Sequence, residues 1–158
     1  MALFEELEIK LQFPEIKAGQ FEITSPRTKV YNCIAWAAGD DTRWWWPDQI
    51  NYWPQNAPRK RTTEAFISMF QQLGYAACAN ADSDPEFEKI AIFTGPSGTP
   101  THAARQESNG KWTSKLGNSN DIRHELIQVG GFRSNGYGNV AVIMQRKRGA
   151  GSQIFPKV

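Results

Sequence analysis

Apolar and polar positions alternate along this chain in two distinct periods. Phe66, Met69, Phe70 and Leu73 recur at i, i+3, i+4 and i+7, the spacing of one buried helix face. Thr62 or Thr63 supplies an N-cap and Gly74 a stop, so a helix is predicted up to about Leu73. A second, shorter helix is predicted over Asn32–Ala38. Ala35, Ala37 and Ala38 favour it and Gly39 ends it, while Cys33, Trp36 and Ala37 share a face.

Period-two stretches dominate elsewhere. Leu7 to Phe13 and Phe21 to Ile23 alternate as half-buried strands do, inside an irregular lead-in over residues 1–28. Tyr75–Cys78, Lys89–Phe93, His102–Glu107, Lys111–Lys115 and Val140–Gln145 read as further strands. Ser108-Asn109-Gly110 carries the Asn-Gly hairpin signal between two of them. Asp40–Pro58 is an aromatic, proline-punctuated loop with a short helical turn expected at Asp48–Tyr52. Gly117–Ile122 reads as a loop, His124–Gln128 as a helical turn, Gly130–Gly138 as a glycine-rich loop, and 149–158 as a flexible tail. Helices first and antiparallel strands later predict an α+β fold, N-terminal helices packed on a mostly antiparallel sheet.

Composition narrows the classes. The 158 residues suit a single domain, with 40% apolar residues and six tryptophans enough for a packed core. A net charge of +2 does not point to nucleic acid, and Arg59-Lys60-Arg61 and Arg146-Lys147-Arg148 read as solvated runs. Two cysteines cannot form a disulfide framework, and a Cys33–Cys78 bridge is not expected. No metal site is expected, because two histidines and two unclustered cysteines lack ligand spacing, and no phosphate-cradling glycine motif is present. No secretory signal and no apolar run of about 18 residues is visible, so no membrane span is expected. The expected location is the cytoplasm, with non-classical export left open.

The candidate chemistry lies in Asn32-Cys33-Ile34-Ala35-Trp36 and Thr101-His102-Ala103-Ala104-Arg105. A thiol at a helix N-terminus lies in the positive end of the peptide dipole field, which is expected to lower its pKa. A histidine brought close in the fold would serve as its base. The plain alternatives are a small buried Cys33 and a surface His102. Cys78 reads as a core strand residue. His124, between Arg123 and Glu125, reads as solvent-exposed, a second candidate base.

These two segments, followed by Asn109-Gly110-Lys111-Trp112-Thr113-Ser114-Lys115-Leu116-Gly117, resemble in order the papain-like fold, most closely its NlpC-type and CHAP-type hydrolases. The resemblance implies Cys33 as nucleophile, His102 as base, and Ser114 in the place of the residue that orients the imidazole. Serine departs from the His, Asn, Asp, Glu or Gln usual there, so Thr113 or a residue of Gly130–Gly138 stays in contention. The oxyanion is expected to meet the Cys33 backbone N–H, assisted by Asn32 or Tyr31. Trp36, Trp45, Trp46 and Trp53 either line a substrate groove or pack the core.

The function implied is hydrolysis of an amide bond by a cysteine peptidase or amidase, without cofactor, on a peptide, protein or peptidoglycan-derived substrate. Two alternatives stand beside it. One is a protein glutamine deamidase or transglutaminase-like effector; the other is a catalytically idle papain-like binding module, for example part of a toxin or its partner system.

Overall fold

The computed structural model of the protein describes residues 2–14, 16, 20–131 and 136–149. Among these residues, three α-helices, α1 (Ala2–Gln12), α2 (Cys33–Ala38) and α3 (Thr63–Gln72), accompany seven strands. The strands are β1 (Glu22–Ile23), β2 (Ala76–Ala77), β3 (Phe87–Thr94), β4 (Pro100–Gln106), β5 (Trp112–Lys115), β6 (Asp121–His124) and β7 (Asn139–Lys147). They form one antiparallel sheet in the order β1-β6-β5-β4-β3-β7-β2. The fold is α+β. The tail expected over 149–158 lies outside the described residues apart from residue 149.

The two well-signalled helices form for the reasons their sequences suggest. Thr62 caps α3 by accepting the Ala65 N–H, and Phe66, Met69, Phe70 and Leu73 are all buried. Asn32 caps α2 in the same way, accepting the Ala35 N–H. Gly39, at φ +94°, closes it by donating to the Ala35 and Trp36 carbonyls.

The lead-in differs from expectation. Leu7–Phe13 is not a strand but the last part and end of helix α1. Its alternation also contains Ile9 and Phe13 at i, i+4. Only these two are buried, at 3% and 1% exposure, while Leu11 is 76% exposed. Glu, Leu and Lys are good helix formers, and one buried pair sufficed to choose the helix. His124–Gln128 is likewise not one helical turn. Asp121–His124 is strand β6, which also takes the end of the expected 117–122 loop, and the 3₁₀ turn begins only at Leu126. Asp48–Tyr52 holds an Asx-type turn, Asp48 accepting from Ile50 and Asn51, instead of a helical one.

Both sheet faces are covered. On one, α2, α3 and the tryptophan loop enclose Ile90, Ile92, Ala103 and Met144. On the other, α1 contributes Ile9, with Phe13 just beyond it, to a cluster with Phe93, Ala104, Trp112 and Ile122. Two positions differ from the solvated and core assignments read from sequence. Arg146 is buried, paired with Glu88 and lying over the Tyr75 ring, because β7 runs inside the sheet. Cys78 is only half-buried, just past the two-residue edge strand β2. Among the described residues no helix is long and apolar enough to cross a membrane.

Two left-handed glycines separate backbone strain from packing. Gly39 has open space where a Cβ would project, whereas a Cβ on Gly138 (φ +89°) would sit 2.0 Å from the Thr94 carbonyl oxygen. Gly39→Ala is expected to cost about 1–2 kcal/mol from backbone conformation alone. Gly138→Ala is expected to cost about 3 kcal/mol or more, since β3 or the chain beside Tyr137 must shift. Urea unfolding of the two variants against the parent checks the difference.

Candidate functional site

Cys33 is the first residue of α2, and its position is set by Asn32. The Asn32 Oδ1 accepts the N–H groups of Ala35 (3.1 Å) and Trp45 (3.1 Å), and its Nδ2 donates to the Trp45 carbonyl (2.7 Å). One side chain thus joins the helix start to the tryptophan loop. These bonds give Asn32 a structural task, and it also lines the cavity beside Cys33. Tyr31 is committed elsewhere too, its Oη donating to Asp121 Oδ2 at 2.6 Å.

The sulfur of Cys33 lies among backbone N–H groups of Ala103, Ile34 and Cys33 itself, with the Lys115 ammonium close enough to act on it. Those donors favour thiolate, but burial outweighs them and pushes the thiol from its ordinary 9.0 up to about 11. This corrects the lowered pKa expected from the helix terminus. Six residues of helix end and a few amides do not replace the water that a 7% exposed side chain has lost.

Neighbouring Ala103 is His102, near the start of β4. Its side chain packs on the far face of the sheet from the body of α2, against the Phe93 ring and parallel to the Tyr137 ring at 3.9 Å. His102 Nε2 lies 2.8 Å from Ser114 Oγ on β5, and Ser114 Oγ lies 2.7 Å from His124 Nε2 on β6. His124 Nδ1 in turn lies 2.6 Å from the Glu125 carbonyl oxygen. His124 is therefore not the exposed residue its charged neighbours suggested. It is 1% exposed, because β6 turns alternate residues inward. His102 and Ser114 are fully buried.

The other ring nitrogen of His102, Nδ1, is buried and has no hydrogen-bond partner among the described residues. Cys33 and His102 therefore make no direct hydrogen bond in the resting structure. Tyr137 connects their surroundings: it stacks on His102 and also lines the cavity that contains Cys33. That cavity has a volume of about 260 Å³, and Trp44, Trp46, Asp48 and Thr101 complete much of its wall.

The tryptophans divide accordingly. Trp46 lines the cavity, as does Trp44 at the start of the same tryptophan block. Trp45 and Trp53 are core residues at 0% and 2% exposure, with Trp45 Nε1 donating to Asp40 Oδ2 and Trp53 Nε1 to the Pro58 carbonyl. Trp36 is a strut from α2 to β5. Its Nε1 donates to Thr113 Oγ1 and the Arg105 guanidinium covers its ring. Thr113 is thereby occupied with Trp36 and the Arg105 carbonyl, and it is Ser114 that meets His102. Within the Gly130–Gly138 stretch, residues 132–135 lie outside the described residues. No group of three or more metal-ligating side chains occurs among the described residues.

Residues 22–145 match DUF7689, a domain of unknown function, and the chain belongs to that family. No curated protein and no solved structure matches it.

Burial fixes how the histidines affect stability. It lowers the pKa of His124 from 6.5 to about 4, the Glu125 carbonyl opposing it. Burial, then the charge of His124, holds His102 well below 6.5. As pH falls through 6.5 the unfolded chain takes up these protons first. Stability present above pH 6.5 is therefore lost progressively down to about 4. The His124 share is about 3 kcal/mol, read by urea unfolding at stepped pH. A flat profile over that window would mean the rings are solvated. Alkylation of Cys33 by iodoacetamide should climb with pH toward the thiol value of about 11. A plateau already reached in the acid range would reveal a standing thiolate–imidazolium pair.

Proposed function

We propose that the protein is a papain-like thiol hydrolase that cleaves an amide bond, with Cys33 as nucleophile and His102 as base. The observation that carries this reading is the buried Nδ1 of His102, without a hydrogen-bond partner among the described residues and one residue from the backbone amide that the Cys33 sulfur contacts. An unsatisfied buried nitrogen costs free energy, and a base awaiting a proton is a reason to keep it. The Ser114 bond at Nε2 and the Tyr137 stack restrict the ring to this arrangement. The aromatic cavity over Cys33 suits a peptide-like substrate.

In this mechanism both groups are neutral at rest, since burial disfavours the charged pair. As Cys33 Sγ bonds to the carbonyl carbon, the thiol proton passes to His102 Nδ1, and the oxyanion is met by backbone N–H groups at the start of α2. His102 returns the proton to the leaving amine as the C–N bond breaks. Water, deprotonated by the same nitrogen, then hydrolyses the thioester and restores the thiol. Proton transfer requires the substrate-bound site to close the separation between thiol and imidazole, as catalytic hydrogen bonds often do. The substrate is a peptide or protein amide, a cell-wall peptide included. With a glutamine side chain the same steps give deamidation, and with an amine in place of water, transamidation.

One observation favours a second reading from another class. Cys33 is only 7% exposed and its thiol is hard to ionise, as in a papain-like domain that binds without turnover.

Iodoacetamide labelling near pH 7.5, followed by mass spectrometry with Cys78 as internal reference, separates these readings. The hydrolase reading expects His102→Ala to slow Cys33 labelling by roughly tenfold or more. It also expects Cys33→Ala, a small change in volume, to abolish cleavage or ammonia release on a mixed peptide library. Equal labelling in parent and His102→Ala protein removes the dyad. Labelling of Cys33 slower than Cys78, with no turnover, supports the binding module.

A further inference from the structure

A carbonyl oxygen can only accept a hydrogen bond, and this gives the buried chain on β4, β5 and β6 a direction. His124 Nδ1 contacts the Glu125 carbonyl at 2.6 Å, so Nδ1 carries a proton. A buried imidazole with no carboxylate against it is neutral, which leaves Nε2 of His124 bare. The nearby Glu125 carboxylate is exposed and paired with Lys111. Ser114, 2.7 Å away, must then donate its hydroxyl proton to His124 Nε2. A hydroxyl has one proton, so its remaining contact, 2.8 Å to His102 Nε2, is one in which Ser114 accepts. His102 therefore holds its proton on Nε2.

We propose that His124 is a positioning residue: acting through Ser114, it fixes His102 as the Nε2–H tautomer and so keeps Nδ1 free to take a proton. This deepens the hydrolase reading and rests on it for its catalytic consequence, while the tautomer assignment stands independently of turnover. Without an acceptor at residue 124, the Ser114 proton is free to turn toward His102. Nε2 then becomes the accepting atom and Nδ1 the protonated one, the wrong form for a base.

The test uses the full chain with ¹⁵N-labelled histidine and long-range ¹H–¹⁵N correlation at about pH 7.5, which distinguishes bare from protonated ring nitrogens. Only two histidines are present, so each variant assigns the other. The parent protein is expected to show Nε2–H at His102 and Nδ1–H at His124. The reverse at either ring overturns the proposal, with no variant needed. His124→Phe, which keeps a ring but no acceptor, should move the His102 proton to Nδ1 and slow Cys33 labelling about as much as His102→Ala. His124→Gln offers a carboxamide oxygen to Ser114 and should recover part of both signals. An unchanged His102 tautomer in folded His124→Phe overturns the relay. If the tautomers are as assigned but Cys33 labelling ignores His102, the relay stands and the hydrolase reading fails instead.

Discussion

An imidazole sealed inside a β-sheet must remain neutral and still satisfy its nitrogens, and that constraint organises the centre of this fold. Two such rings occupy β4 and β6, on either side of β5, and burial outweighs the one carboxylate that acts on them, the exposed Glu125 beside His124. Antiparallel pairing of β5 with β6 sets Trp112 against His124 and Ser114 against Ile122, so all four stand on one face. Pairing of β3 with β4 places Phe93 beside His102 on that same face. The sheet thus brings two histidines to either side of one small hydroxyl, where a larger residue would not fit between them.

The opposite face depends on Asn32 in a comparable way. Its carboxamide holds the first turn of α2 and both backbone groups of Trp45 together. Trp45 is in turn anchored to Asp40, which lies just beyond the C-terminal end of the same short helix. A helix of six residues has little stability of its own. Its two ends are tied to one loop, and its Trp36 is tied to β5. That bracing, more than helix propensity, holds the Cys33 sulfur against the Ala103 amide.

Much of the architecture was legible because its signals are local. The α3 periodicity and Thr62 cap, the Gly39 stop and the Asn109-Gly110 hairpin each act within a few residues. The misread elements depended on partners far along the chain. Leu7–Phe13 carries a strand-like alternation and a helical pair at once, and only the second cluster, into which Ile9 and Phe13 pack, decides between them. His124 sits in a charged sequence yet is buried, because Arg123 points outward to Glu22 and Glu107 while its neighbour points in. Trp44, Trp45 and Trp46 are indistinguishable by composition, and alternation along the chain sends the middle one to the core. Tyr137 offered no signal beyond its place in a glycine-rich stretch, although Gly138 beside it allows the close approach to β3 that brings it over His102.

The serine between the two histidines also has a physical account. A carboxamide or carboxylate oxygen accepts an imidazole N–H whatever surrounds it, so it fixes the tautomer of its partner alone. A hydroxyl has no such polarity: it donates and accepts equally well, and by itself leaves a facing imidazole free to be either tautomer. Ser114 acquires a direction only because His124 takes its proton, and His124 does so only because the Glu125 carbonyl claims the proton of its other nitrogen. Serine and histidine together therefore give the facing imidazole the fixed polarity that a single carboxamide oxygen would. The arrangement carries no formal charge into the sheet, which a carboxylate at position 114 would have required.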